Sequence, residues 1–123
     1  MSTLAYALPN VTLRFVPDAT TDVELVEAVL RGRTDCFDRL IARYRPQARA
    51  IAGRVLRHDQ SGLEDVIAEA NCRAFSHLGH LRDGSRFRSW YCAIVRNAAL
   101  DYAMKIDRLL HQPDVARDLG RSD

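Results

Sequence analysis

The chain has 123 residues, is 47% hydrophobic and 28% charged, and carries a net charge of +2. One domain of this length buries roughly two-thirds of the surface its unfolded chain exposes, so it needs no metal or disulfide staple. Its apolar runs stop well short of the roughly 18 residues a membrane span requires, and Asn10, Arg14 and Asp18 break up any secretory-signal pattern near the amino terminus. Cytoplasm is the expected compartment. Cys36, Cys72 and Cys92 are odd in number and widely spaced, which points to small buried or half-buried thiols, not a disulfide framework.

Residues 1–20 contain Pro9 and Pro17 and no sustained helical period. They read as a loosely structured leader, with Val11–Val16 a short strand or extended arm. The domain proper is expected over residues 21–112. Asp22 is placed to cap a first, short helix that Gly32 stops, with Val23, Val26, Val29 and Leu30 at helical spacing. Thr34 is placed to cap a second helix running from Phe37 to Leu56, which Pro46 should kink or split. After a polar break at His58–Gly62, a third helix is predicted over Leu63–Leu78 with Val66, Ile67, Ala70, Ala74 and Phe75 inward. A loop at Gly79–Ser85 leads to the last helix, from about Arg86 to Leu110. Its apolar positions are Phe87, Trp90, Tyr91, Ile94, Val95, Ala98, Tyr102, Ile106 and Leu109. Residues 113–123 read as a tail or the start of an interdomain linker. The expected fold is therefore all-α, a compact bundle of about four helices, one short and three longer, around a single core.

Charge falls in blocks along this bundle. Residues 31–57 carry eight arginines against Asp35 and Asp38, residues 58–80 carry Asp59, Glu64, Asp65 and Glu69 against Arg73, and residues 82–108 are basic again. Alternation of this kind suggests one surface for a polyanion and another for a basic partner. Only Lys105 among the 18 basic residues is lysine, a bias that suits bidentate phosphate contacts.

Enzyme chemistry finds little support. His77 and His80 lack further converging ligands, so no metal site is expected. Asp65 and Glu69 share a helix face at i,i+4 but read as surface charge or a docking face, not as acid–base machinery. No phosphate-cradling glycine loop, nucleophile elbow or dinucleotide fingerprint is present. The run Arg82–Tyr91, by contrast, interleaves arginines with aromatic residues, a combination that grips phosphates and stacks on unpaired bases. Arg96 and Asn97 lie two turns beyond Arg88 and Ser89, and Asn reads an adenine edge while Arg reads guanine or grips phosphate. Phe87, Trp90 and Ile94 are expected to hold this helix to the core.

Three segments carry a family resemblance: DVELVEAVLRGRTDCFDRLIARYRPQARAIAGRVL at 22–56, LEDVIAEANCRAF at 63–75 and FRSWYCAIVRNAALDYAMK at 87–105. In order and spacing they resemble region 2 of the extracytoplasmic-function (group IV) sigma factors of bacterial RNA polymerase, and FRxW…RNxALD is the specific element. The resemblance implies a non-enzymatic domain that binds core RNA polymerase and recognises and helps melt the promoter −10 element, without cofactor, ATP or metal. The helix with Glu64, Asp65, Ala68 and Glu69 would dock on the β′ clamp helices. The loop with Arg82, Asp83, Ser85 and Arg86 would capture a flipped base of the non-template strand. The helix with Arg88, Ser89, Arg96 and Asn97 would read the upstream edge of the element. An anti-sigma factor is a further implied partner.

The chain departs from the family at Ala68 and Asn71, where members commonly carry glutamine and a large apolar residue. It also lacks, after Pro113, anything resembling the helix-turn-helix of region 4. One domain of a longer protein and a short relative both fit. The alternative function is a sigma-like protein-interaction module, binding an anti-sigma factor or serving regulation, with no transcription activity of its own.

Overall fold

The computed structural model describes residues 20–57 and 59–111. The arm at Val11–Val16 and the tail at 113–123 lie outside the described residues, as does all of the expected leader except Thr20. Four α-helices follow one another: α1 (Asp22–Leu30), α2 (Asp35–Leu56), α3 (Leu63–His77) and α4 (Phe87–Leu110), with single 3₁₀ turns at Gln60–Gly62, Leu78–His80 and Gly84–Arg86. Among the described residues there is no strand.

Local chemistry sets most of the boundaries. Thr21, not Asp22, caps α1: its hydroxyl accepts from the Glu24 amide at 3.1 Å and the Glu24 carboxylate accepts from the Thr21 amide at 2.8 Å, a reciprocal capping box. Asp22 is the first helical residue, and its carboxylate accepts from Arg43 at 2.7 Å and from the Tyr44 hydroxyl. Gly32, at φ +107°, turns the chain out of α1, a conformation that favours glycine. Thr34 sits before α2 but its side chain caps nothing; the Cys36 and Phe37 amides bond instead to the Arg33 and Thr34 carbonyls. Pro46 does not split α2. It denies a partner to the carbonyl four residues back, that of Ala42, and both residues are exposed, so water can serve that group.

The core is built from Leu25, Val26 and Val29 of α1, Phe37, Leu40 and Ile41 of α2, Val66 and Ile67 of α3, and Phe87, Tyr91 and Val95 of α4. Six buried alanines (Ala48, Ala52, Ala70, Ala74, Ala98 and Ala99) lie at the contacts between the long helices, all at most 3% exposed. Small residues there let helix axes approach to the short end of the usual 8–10 Å range. Gly62 is needed for the same reason, since a Cβ there would enter the Tyr102 ring.

Several positions expected to be buried are exposed, Leu30 at 54% among them. Phe75 is 46% exposed, its ring in a T-shaped contact with Phe37 at 5.2 Å between centroids. Leu109, in the last turn of α4, is 50% exposed. Cys72 is exposed, whereas Cys36 is buried and Cys92 half-buried.

Candidate nucleic-acid interface

The buried face of α4, formed by Phe87, Tyr91, Val95, Ala98 and Ala99, fixes what its opposite face presents. Ser89, Ala93, Arg96, Asn97 and Leu100 form an exposed crest. A groove runs along each flank. The groove toward α3 is lined by Arg73, His77, His80, Trp90, Ile94 and Asn97. The groove toward α2 is lined by Ile51, Arg54, Val55, Arg57, Arg96 and Leu100, and continues past Arg88 and Cys92. The residues expected to form one polar stripe are thus all exposed but divided: Arg88 and Arg96 face the α2 side, Asn97 the α3 side. The Ser89 hydroxyl donates to the Arg86 carbonyl at 3.3 Å.

Trp90 and Ile94 are half-buried and pack against the core, holding α4 to it as expected. Trp90 packs one side against Phe87, with ring centroids 5.8 Å apart, and borders the α3-side groove beside Asn97. His77 and His80 border the same groove with ring centroids 5.6 Å apart. The His77 Nδ1 donates to the Arg73 carbonyl at 2.9 Å. Among the described residues no three ligating side chains gather as a metal site would require.

The loop that enters α4 is held rigidly. The Asp83 carboxylate accepts from the Ser85 amide at 3.0 Å and from the Ser85 hydroxyl at 2.7 Å, an Asx turn. These bonds from Ser85 hold the Asp83 carboxyl below the usual carboxylate range. Asp83 and Ser85 therefore shape the loop, while Arg82 and Arg86 stand exposed around it. The turn leans on α1: a Cβ on Gly84 would lie 3.1 Å from the Val23 Cα. Two phenols, Tyr44 half-buried and Tyr91 buried, sit at the base of the site. Tyr44, against the Phe87 ring at 5.9 Å, is pushed up to about 12 by burial and by its bond to Asp22. Tyr91 is pushed up to about 12 by burial, and its hydroxyl donates to the Asn71 side chain. Burial also raises the Cys92 thiol, which disfavours the thiolate.

The model of the family described as Sigma-70 region 2 matches residues 40–109, more than half of the chain. The chain belongs to that family. This region 2 domain is 33% identical over 99 residues to the RNA polymerase sigma-H factor of Pseudomonas aeruginosa, covering 79% of the chain and 50% of that protein. It is 34% identical over 96 residues to the ECF RNA polymerase sigma-E factor of Escherichia coli K12, covering 77% and 49%. The sigma-E factor of Salmonella typhimurium LT2 is 33% identical over the same length. The chain spans about half the length of the curated relatives it matches. No solved structure matches it significantly, and no helix among the described residues is long and apolar enough to cross a membrane.

In the region 2 domain, Glu64, Asp65, Ala68 and Glu69 are all exposed on α3, and Asp65 and Glu69 line a groove with Arg73, Asp101 and Lys105 farther along the α3–α4 seam. Two of the three carboxylates are already paired: Glu64 with Arg49, and Glu69 with Arg73 at 2.9 Å. Arg73 also reaches Asp101 of α4 at 3.1 Å, and these bonds, that to Glu69 foremost, raise the guanidinium further above its ordinary value. Asp65 makes no ion pair among the described residues. Asn71 lies half-buried behind this face as the acceptor for Tyr91, which accounts for a polar residue where the family commonly has an apolar one. Beyond the expected site residues, Arg54 and Arg57 border the α2-side groove and Arg73, His77 and Trp90 the α3-side groove. Part of that was legible: Arg73, His77 and His80 stand at i, i+4, i+7, as do Trp90, Ile94 and Asn97, the spacing of two facing helix stripes.

Proposed function

We propose that this domain binds core RNA polymerase and recognises and helps open the −10 element of a promoter. It acts as a specificity subunit with no catalytic residue and no cofactor. The observation that carries the reading is the α3-side groove, where an aromatic face, a base-reading amide and basic side chains meet next to a rigid, arginine-flanked loop. Its closest chemical fit is an unpaired base. Trp90 offers stacking, worth about 1–3 kcal/mol per base. Asn97 offers a donor and an acceptor to a base edge, and Arg82 and Arg86 of the loop grip the phosphates of the extruded strand. Removing a base from the duplex costs a few kcal/mol, offset by that pocket and by strand contacts.

The exposed face of α3, with Glu64, Asp65, Ala68 and Glu69, is the proposed docking surface for the basic clamp helices of the β′ subunit. Residues 21–112 are the proposed working unit, cytoplasmic, with an anti-sigma factor as the partner that holds it inactive. The names of the relatives, RNA polymerase sigma factors, support these assignments.

Fluorescence anisotropy with a −10 non-template oligonucleotide tests the DNA reading. Binding should weaken steeply as salt rises. Asn97→Ala should change which sequence is preferred, whereas Arg82→Ala should weaken all sequences alike and lower the salt slope by about one. Salt-insensitive binding, or the reverse pattern in the two variants, refutes the roles. Co-purification with core polymerase separates this reading from a sigma-like interaction module, which should fail to bring the enzyme down.

A further inference from the structure

Apolar surface is spread unevenly over the domain. Leu100, Met104, Leu109 and Leu110 are all exposed, and all lie on the second half of α4. Ala103, Ile106 and Leu110 stand at i, i+3 and i+7, one helix stripe, and border a groove with Val55 and Leu56 of α2. Val55 also belongs to the seam lined by Ile51 and Leu100, so a single apolar groove runs from Ile51 to Leu110. A contiguous apolar surface of this kind marks a binding site.

The chain itself supplies an occupant. Residues 1–19 lie outside the described residues, and Thr20 is where they join the domain. Thr20 is held on α2: its carbonyl accepts from Arg43, and its hydroxyl accepts from Arg39 at 3.4 Å. Arg43, Gln47, Ala50 and Arg54 repeat at i, i+4, i+7 and i+11, one stripe of α2. The last three line the stretch that leads into the groove, so Thr20 stands at its head. From Arg43 to Ile51 is about 12 Å along α2, which about four extended residues span, back to Val16. Tyr44 meets Phe87, and from Phe87 to Leu110 is about 35 Å along α4. About eleven extended residues cover that, back to Pro9. Val11–Val16 is thus the stretch that falls over the groove. In it Val11, Leu13 and Phe15 alternate with Thr12 and Arg14, which gives an extended run one apolar face. The far end of the groove carries Asp59 and Asp107 against Arg57, and the single charge of the run is Arg14. Residues 113–123 offer no such face, with Val115 and Leu119 their only large apolar side chains.

We infer that Val11–Val16 seats as an extended strap in the groove between α2 and α4, with Val11, Leu13 and Phe15 on its apolar floor. The strap covers the exposed end of α4 and ties it to α2. It stands independently of the promoter reading.

Hydrogen exchange of the full chain, read by mass spectrometry, tests the strap. Leu13→Asp/Phe15→Asp should speed exchange of the amides of residues 103–110 about tenfold and leave residues 91–95 unchanged. Thr12→Asp, on the opposite face of the run, should match wild type throughout. Ile106→Asp should give the same loss, and combining it with the strap variant should add nothing, since both remove one contact. If Ile106→Asp fails to fold, the strap variants decide alone, because they leave every residue of α1 to α4 in place. Exchange at 103–110 that is indifferent to Leu13→Asp/Phe15→Asp, or equally raised by Thr12→Asp, overturns the strap. Protection that grows with protein concentration assigns the groove to a second copy and overturns it too. So does a loss produced instead by Val115→Asp/Leu119→Asp, which assigns the groove to the tail.

Discussion

Replacing Asn71 with leucine, closer to the apolar residue common in the family, should destabilise this protein. Tyr91 is fully buried, and the Asn71 side-chain oxygen is the acceptor for its hydroxyl. Asn71→Leu removes the acceptor and leaves the phenol unpaired in the core, at a cost of about 1–3 kcal/mol. Tyr91→Phe should cost less, about 1 kcal/mol, because Asn71 is only half-buried and its amide can turn to water. In the double variant neither orphan remains, so the combined loss should fall well below the sum of the two single losses, a coupling of about 1 kcal/mol or more. For a domain near this size 1 kcal/mol moves the melting temperature by about 5 °C. Asn71→Leu should therefore melt about 10 °C below wild type, with Asn71→Leu/Tyr91→Phe part-way back. Thermal and urea unfolding followed by circular dichroism measure all four corners of the cycle. Additive losses, or an Asn71→Leu variant as stable as wild type, would falsify the claim that this hydrogen bond holds α3 to α4.

Alkaline unfolding follows from the same group. Tyr44 and Tyr91 are both raised to about 12 in the folded protein against about 10 unfolded, so the folded state keeps protons that the unfolded state releases. Stability is then whole below pH 10 and declines as pH rises toward 12; Tyr91→Phe should flatten that decline in urea titrations across the window. Gly84→Ala places a Cβ 3.1 Å from the Val23 backbone, whereas Gly79→Ala meets nothing within 4 Å. The first should displace the loop and weaken oligonucleotide binding with a stability loss of about 1 kcal/mol, and equal binding by both variants would sink the bracing role of α1. Glu69→Gln should remove one of the two carboxylates that hold Arg73, leaving Asp101, and strengthen oligonucleotide binding by at most about fivefold, the scale of one surface ion pair. No gain by anisotropy rejects that contribution.

The four-helix order, and most of the core, were legible because amphipathic period and turn residues are local signals. What escaped the pattern depended on neighbours. Thr21 and Asp22 are both good cap residues, and the tertiary bond of Asp22 to Arg43 and Tyr44 decided which of them caps. Phe75 keeps the helical period, but only a neighbouring helix can bury a position, and here it stays 46% exposed beside Phe37. Trp90 meets the core as its spacing implies. Its position, 200° around α4 from Arg88 at 100° per residue, falls at the rim of the α3 contact, so it is shared between packing and groove. The division of Arg88 and Arg96 from Asn97 depends on which helix lies along each side of α4, and no local pattern holds that information.

The surface charges and the buried contacts of α3 serve different ends. The pairs Arg49–Glu64, Arg73–Glu69 and Arg73–Asp101 all have carboxylates more than half exposed, and such pairs contribute about 0.2–1 kcal/mol each. A basic partner arriving on this face can take Glu64 and Glu69 for itself, offering comparable contacts in return, so the exchange costs little. What keeps α3 at its distance from α4 lies underneath: the buried Ala70 and Ala74 of α3 and Ala98 and Tyr91 of α4, and the Tyr91 hydroxyl on Asn71. Those contacts carry no charge, and the same exchange leaves them in place. The domain can therefore trade its outer ion pairs for a partner's while the groove that holds Trp90 and Asn97 keeps its width. Arg73, released from Glu69 by the trade, stays on the rim of that groove, still held by Asp101 at 3.1 Å.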